Sequence, residues 1–111
     1  MTSDLDAIAT LTVSRDGLRP EELSHELELL GSHWSIESGE LCLALAGPMA
    51  KTGAVAAAAG VLADELDHHP TIVVQYGKLR LAISTHDAQA ITVMDLVYAA
   101  RLEQWLRSNG W

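Results

Sequence analysis

A chain of 111 residues with 49% apolar content allows one small ordered domain and argues against disorder. Its formal charge is −8, from 15 acidic and 7 scattered basic residues, so neither nucleic acid nor a membrane surface is an expected partner. The single cysteine, Cys42, excludes an internal disulfide and a thiolate zinc site. The longest apolar run, 54–63, is too short to span a bilayer, and the first residues carry acids where a signal peptide would carry basic residues, so a cytoplasmic location is expected.

Residues 1–16 read as a lead-in, in which 7–13 fit either a short strand or a frayed tail; residues 17–111 read as one domain. A helix is predicted from Pro20, because proline suits a first helical turn and Glu21 and Glu22 favour the positive end of the helix dipole. Leu23, Leu27 and Leu30 recur at helical spacing, and Gly31 ends the run. His25 and His33, in and after this helix, are expected to face solvent. Trp34-Ser35-Ile36 reads as a strand, Ser38-Gly39-Glu40 as a turn, and the alternation of Leu41, Leu43 and Leu45 as a strand with one buried face. Gly47-Pro48 breaks it. The alanine-rich stretch 51–66 is predicted as a helix, and Pro70 stops it by disfavouring helical geometry at His69. Thr71 to Tyr76 is β-branched and aromatic, hence a strand. Gly77-Lys78 marks a tight turn, and alternating Leu79, Leu81 and Ile83 give the second strand of a hairpin. Thr92-x-x-Asp95 has capping-box spacing and opens a last helix running to about Arg107, with Leu96, Ala99, Ala100, Leu102 and Leu106 on or near its apolar side. Trp34, Trp105 and Trp111 are expected as core or interface anchors.

This order predicts an α+β fold, a four-stranded antiparallel sheet with three helices on one face. A domain this small gains burial by self-association, so a homodimer or homotetramer is expected.

Three of the five histidines and a carboxylate fall within 28 residues, in Asp67-His68-His69-Pro70, Thr85-His86 and Asp95. Histidine is the side chain whose ordinary titration lies near neutrality, so a cluster suits proton transfer or metal binding. In an antiparallel hairpin the start of one strand lies beside the end of the other. His68 and His69, before the third strand, and His86, after the fourth, are therefore expected at one end of the sheet, with Asp95 approaching from the last helix. Blander readings exist for each. The two adjacent histidines could cap the helix before them, and Asp95 could serve only the capping box. Three histidines and a carboxylate could also hold zinc, but adjacent His68 and His69 would have to turn onto one ion and no HExxH spacing is present, so no metal is expected.

The spacing runs Asp64, three residues, His68-His69-Pro70, five residues, Tyr76, nine residues, His86, eight residues, Asp95. It resembles the signature of the pterin-4a-carbinolamine dehydratases, and Leu66-Asp67-His68-His69-Pro70, Ser84-Thr85-His86 and the Glu103 region resemble family segments from about Ala63 to Leu106. The resemblance implies the same α+β fold, assembled as dimers or tetramers. It implies a dehydratase that removes water from a 4a-hydroxy-tetrahydropterin to give the quinonoid dihydropterin, with no cofactor. It implies His68 and His86 as an acid–base pair, His69 holding the pterin, Asp95 orienting or charge-tuning a histidine, and Asp67, Ser84, Thr85 and Asp87 lining the pterin site.

The chain departs from the family pattern at Ala44, Ala46 and Met49, where large aromatics are usual, at Ile72, where tryptophan is common, and at Ala90, where glycine is usual. Aromatic walls suit stacking on a flat pterin. Two alternatives therefore stand beside the dehydratase: an enzyme of the same fold acting on a different cyclic substrate in a biosynthetic pathway, and a non-catalytic dimerisation or binding module.

Overall fold

The structure, a computed structural model, describes residues 4–9 and 20–111. The elements are α1 (Asp4–Ala9), α2 (Pro20–Leu30), β1 (Trp34–Glu37), β2 (Glu40–Ala46), α3 (Met49–Leu66), β3 (Thr71–Gln75), β4 (Lys78–Ile83), a 3₁₀ turn (His86–Ala88) and α4 (Val93–Ser108). The strands form one sheet in the order β1-β2-β4-β3, and every neighbouring pair is antiparallel. The expected α+β fold is what forms.

Two tight turns set the register. Glu37 pairs with Glu40 across Ser38 and Gly39, which take φ of 53° and 76°. Positive φ at both central residues matches the twist of the flanking strands. Gln75 pairs with Lys78 across Tyr76 and Gly77, and Gly77 supplies a φ of 76° that a side chain would resist.

One sheet face is covered. Leu41, Leu43 and Leu45 on β2 and Leu79, Leu81 and Ile83 on β4 point inward and are buried. Ala44, Ala46, Lys78 and Arg80 alternate outward and are exposed. α4 lies at the centre of the covered side, packed by α1, α2 and α3. It buries Leu96, Val97, Tyr98, Ala99, Ala100, Leu102 and Leu106, more than the one stripe its sequence suggests, because helices flank it.

Side chains of α4 also tie down the ends of its neighbours. Arg107 Nη2 donates to the carbonyls of Leu29 and Leu30, closing the C-terminus of α2, and Arg101 Nε donates to the Ala9 carbonyl. The Glu103 carboxylate is buried between Trp34 Nε1 at 3.0 Å and Arg107 Nε at 2.7 Å. Trp34 is thus the expected core anchor.

Two expectations need correction. The short-strand option for 7–13 fails at residues 7–9, which lie in α1; Leu5, Ile8 and Ala9 sit at helical spacing and are buried against α4, and 10–13 lie outside the described residues. Six residues are too few for periodicity to reveal such a helix. His25 is exposed as expected, but His33 is half-buried, because Trp111 packs edge-on against it with ring centroids 6.4 Å apart. Trp111 also lies over Lys51 Nζ at 4.2 Å.

Candidate active site

The first half of the histidine cluster is shaped by the end of α3. Asp67 adopts the left-handed conformation (φ 49°, ψ 48°), its N–H reaches the Asp64 carbonyl at 3.4 Å, and the His68 N–H reaches the Ala63 carbonyl at 3.0 Å. This paired closure is a Schellman ending, with aspartate where glycine is usual. Asparagine and aspartate tolerate left-handed geometry better than other side chains do. The reversal separates two adjacent histidines. His68 is turned inward and buried, whereas the His69 side chain is 60% exposed and pairs with Asp64 Oδ1 at 3.2 Å.

The second half follows β4. Thr71 pairs with Ala82, so the start of β3 lies beside the end of β4 and the His68–Pro70 loop shares a sheet end with Ser84–Asp87. After β4 the chain makes a small closed loop. The Thr85 N–H donates to the Ala90 carbonyl at 3.0 Å and the Ala90 N–H returns to Thr85 O at 3.4 Å. The loop presents His86 and Asp87 on an exposed 3₁₀ turn and leads directly into the cap of α4.

Asp95 is the hub. Its carboxylate is fully buried. Oδ1 lies 2.5 Å from His68 Nε2, while Oδ2 accepts the Thr85 hydroxyl at 2.9 Å and the Thr92 N–H at 2.8 Å. The capping box is present, so Asp95 both opens α4 and bonds to a histidine 27 residues earlier. A buried carboxylate is costly unless its acceptor sites are filled, and three donors fill them.

Of the residues that the resemblance implies for the pterin site, His69, Asp67, His86 and Asp87 are exposed and Ser84 is half-buried on the open sheet face, 3.5 Å from Glu40 Oε2. Thr85 is placed differently: it is 1% exposed and its hydroxyl faces Asp95. The in-out alternation of β4 carries on past Ile83 to the Thr85–Ala90 bridge, which sends Ser84 outward and Thr85 inward. Sequence reasoning gave neither Glu40 nor Asp64 a role beside these residues, although Asp64 opens the motif. Its four-residue offset from His68 was the available signal, yet in space it meets His69.

On the open sheet face a depression of about 300 Å³ starts beside the site at Thr71 and runs past Val73, Gln75, Arg80 and Ala82, while Ala44 and Ala46 project farther from the site, paired with Arg80 and Lys78. Ile72 instead packs against the core from its half-buried position. Ala90, at the loop closure, is half-buried. Burial, with help from Glu37 and Glu40, pushes the Cys42 thiol above its usual range. Among the described residues no three of His, Cys, Asp and Glu converge as metal ligands, and no helix is long and apolar enough to cross a membrane.

Comparison with known proteins adds four findings. The family model described as pterin 4 alpha carbinolamine dehydratase matches residues 16–105. A Haloarcula marismortui protein, whose name assigns it provisionally to the pterin-4-alpha-carbinolamine dehydratases, is 34% identical over 89 residues, covering 78% of this chain and 92% of its own. A similarly named Chloroflexus aurantiacus protein is 37% identical over 73 residues, 64% of this chain and 77% of its own. Among solved structures, a transcriptional coactivator/pterin dehydratase from Brucella melitensis superposes with a TM-score of 0.73 at 21% identity, over 80% of this chain and 97% of that one.

Proposed function

The chain belongs to the pterin-4a-carbinolamine dehydratase family, and from that premise we propose that it removes water from a 4a-hydroxy-tetrahydropterin by histidine-based acid–base catalysis. A protonated imidazole gives its proton to the 4a-hydroxyl, the carbon–oxygen bond breaks, and water leaves. A second group takes the proton from the ring nitrogen, whose electron pair closes the carbon–nitrogen double bond of the quinonoid dihydropterin. Protons balance, and no electron acceptor is needed.

The observation that carries this reading is the buried His68–Asp95 pair at the sheet end that also bears His86. His68 and His86 are assigned as the acid–base pair, His69 to holding the ring, and Asp67, Ser84 and Asp87 to its polar edge. The 17–111 segment acts as one domain in this proposal, in a homodimer or homotetramer. A cytoplasmic location belongs to the same proposal, because a lone free thiol such as Cys42 stays reduced there.

The small side chains of Ala44 and Ala46 on the open sheet face, with the depression that starts at Thr71, favour a second reading, a ring substrate bulkier than an unsubstituted pterin. Both readings meet in one assay. A 4a-hydroxy-tetrahydropterin generated in place should dehydrate faster with the protein than without it, and equally fast in the presence of a chelator. An unchanged spontaneous rate rejects the pterin as substrate, and loss of activity to the chelator rejects the metal-free mechanism.

A further inference from the structure

The buried side of the site holds a chain of hydroxyls behind Asp95. Thr85 Oγ1 lies 2.9 Å from Asp95 Oδ2 and 2.8 Å from Thr92 Oγ1. A hydroxyl has one proton. Given to Asp95, it leaves Thr85 only lone pairs for Thr92, so Thr92 must be the donor to Thr85. Thr92 Oγ1 in turn accepts the Met94 N–H at 3.2 Å. The hydrogens therefore run one way, from Met94 to Thr92, from Thr92 to Thr85, and from Thr85 to Asp95. The Thr92 N–H adds a further donor to Asp95 Oδ2 at 2.8 Å.

An ionised carboxylate only accepts. With Oδ2 doubly served, Oδ1 faces His68 Nε2 at 2.5 Å, and that nitrogen must carry the proton. A neutral His68 then keeps its lone pair on Nδ1, which has no hydrogen-bond partner among the described residues. Resting on the reading of His68 as an acid–base group, we infer that Thr85 is a positioning residue. Its hydroxyl holds Asp95 so that His68 stays in the Nε2–H form, which makes Nδ1 the nitrogen that exchanges a proton with substrate.

The chemistry explains why a hydroxyl is needed. Thr85, Thr92 and Asp95 are all buried, with exposures of 1%, 0% and 0%. A valine at 85 keeps the shape but removes one donor from a carboxylate that water cannot reach. Without that bond the carboxylate loses one of the two contacts that fix Oδ2, Oδ1 is no longer held on Nε2, and the ring is released to carry its proton on Nδ1, the wrong nitrogen for the reaction.

Long-range ¹H–¹⁵N correlation of the His68 ring in the substrate-free protein tests this without assuming any substrate. Wild type and Thr85→Ser should show neutral His68 protonated on Nε2, and Thr85→Val should bring in the Nδ1–H form. In the dehydration assay, Thr85→Val should lower kcat about tenfold with KM little changed, and Thr85→Ser should restore it. An Nδ1–H ring in wild type overturns the inference with no variant needed, which covers the case of a valine variant that fails to fold. A folded Thr85→Val protein with either the wild-type ring pattern or the wild-type kcat overturns it too. If the ring patterns follow expectation but wild type turns over no pterin, the substrate reading fails while the role of Thr85 toward His68 stands.

Discussion

Tyr98 and Tyr76 are the chain's two tyrosines, and their surroundings could hardly differ. Tyr76 is 95% exposed at a hairpin tip, whereas Tyr98 is sealed under α3 and donates to the Ala59 carbonyl at 2.7 Å. Burial raises the Tyr98 phenol far above its ordinary range. The folded protein thus holds this group neutral, and its contribution to stability is full below about pH 10 and is lost as pH rises beyond that. In an alkaline titration, tyrosinate absorbance should report Tyr98 ionising only as circular dichroism reports unfolding. Two tyrosines ionising together in folded protein would contradict this. Residue identity was legible in the sequence, but residue environment less so. His68 and His69 are adjacent and chemically identical, and their division into one buried and one exposed group depends on the left-handed turn at Asp67. Ordinary helix-ending signals mark where α3 stops and leave that turn's geometry unstated.

At the scale of the element, the junction from β4 to α4 carries both fold and site. Thr92 caps α4 through the Met94 N–H and also supplies a hydroxyl to Thr85. Thr92→Ala should therefore cost at least the usual capping loss of about 1 kcal/mol, measured by denaturant unfolding with an unchanged slope. A cost near zero would mean that the cap and the hydroxyl chain are dispensable. The capping box was readable from Thr92-x-x-Asp95 alone, as were the two hairpins from their Gly39 and Gly77 turns. The long bond from Asp95 to His68 was readable only as a convergence, because it joins residues brought close by the β3–β4 register. α1 was not readable, since its stability comes from packing on α4 and not from local pattern.

For the whole molecule, the Leu and Ile alternation of β2 and β4 was readable as two strands, but their central place in the order β1-β2-β4-β3 had no local signal. Association is the clearest test at this scale. Leu106 is fully buried within one copy and Trp111 is half-buried against His33 and Lys51. Of that C-terminal group, Trp105 remains to serve an interface, lining an apolar groove of about 330 Å³ with Val61, which is 60% exposed. Light scattering at micromolar concentration should show a dimer or tetramer, weakened by Val61→Glu; a wild-type protein of 11.9 kDa alone would contradict the proposed assembly. The central claim is that His68 and His86 move the protons of dehydration as one unit. Steady-state turnover of the pterin carbinolamine by wild type, His68→Ala, His86→Ala and the double variant measures it most directly. Each single replacement should lower turnover by about 10²–10⁴-fold in protein that stays folded, and the double variant should lose far less than the product of the two. Turnover within about threefold of wild type in both single variants would contradict the account, because general acid–base groups at the reacting atoms cannot be removed so cheaply.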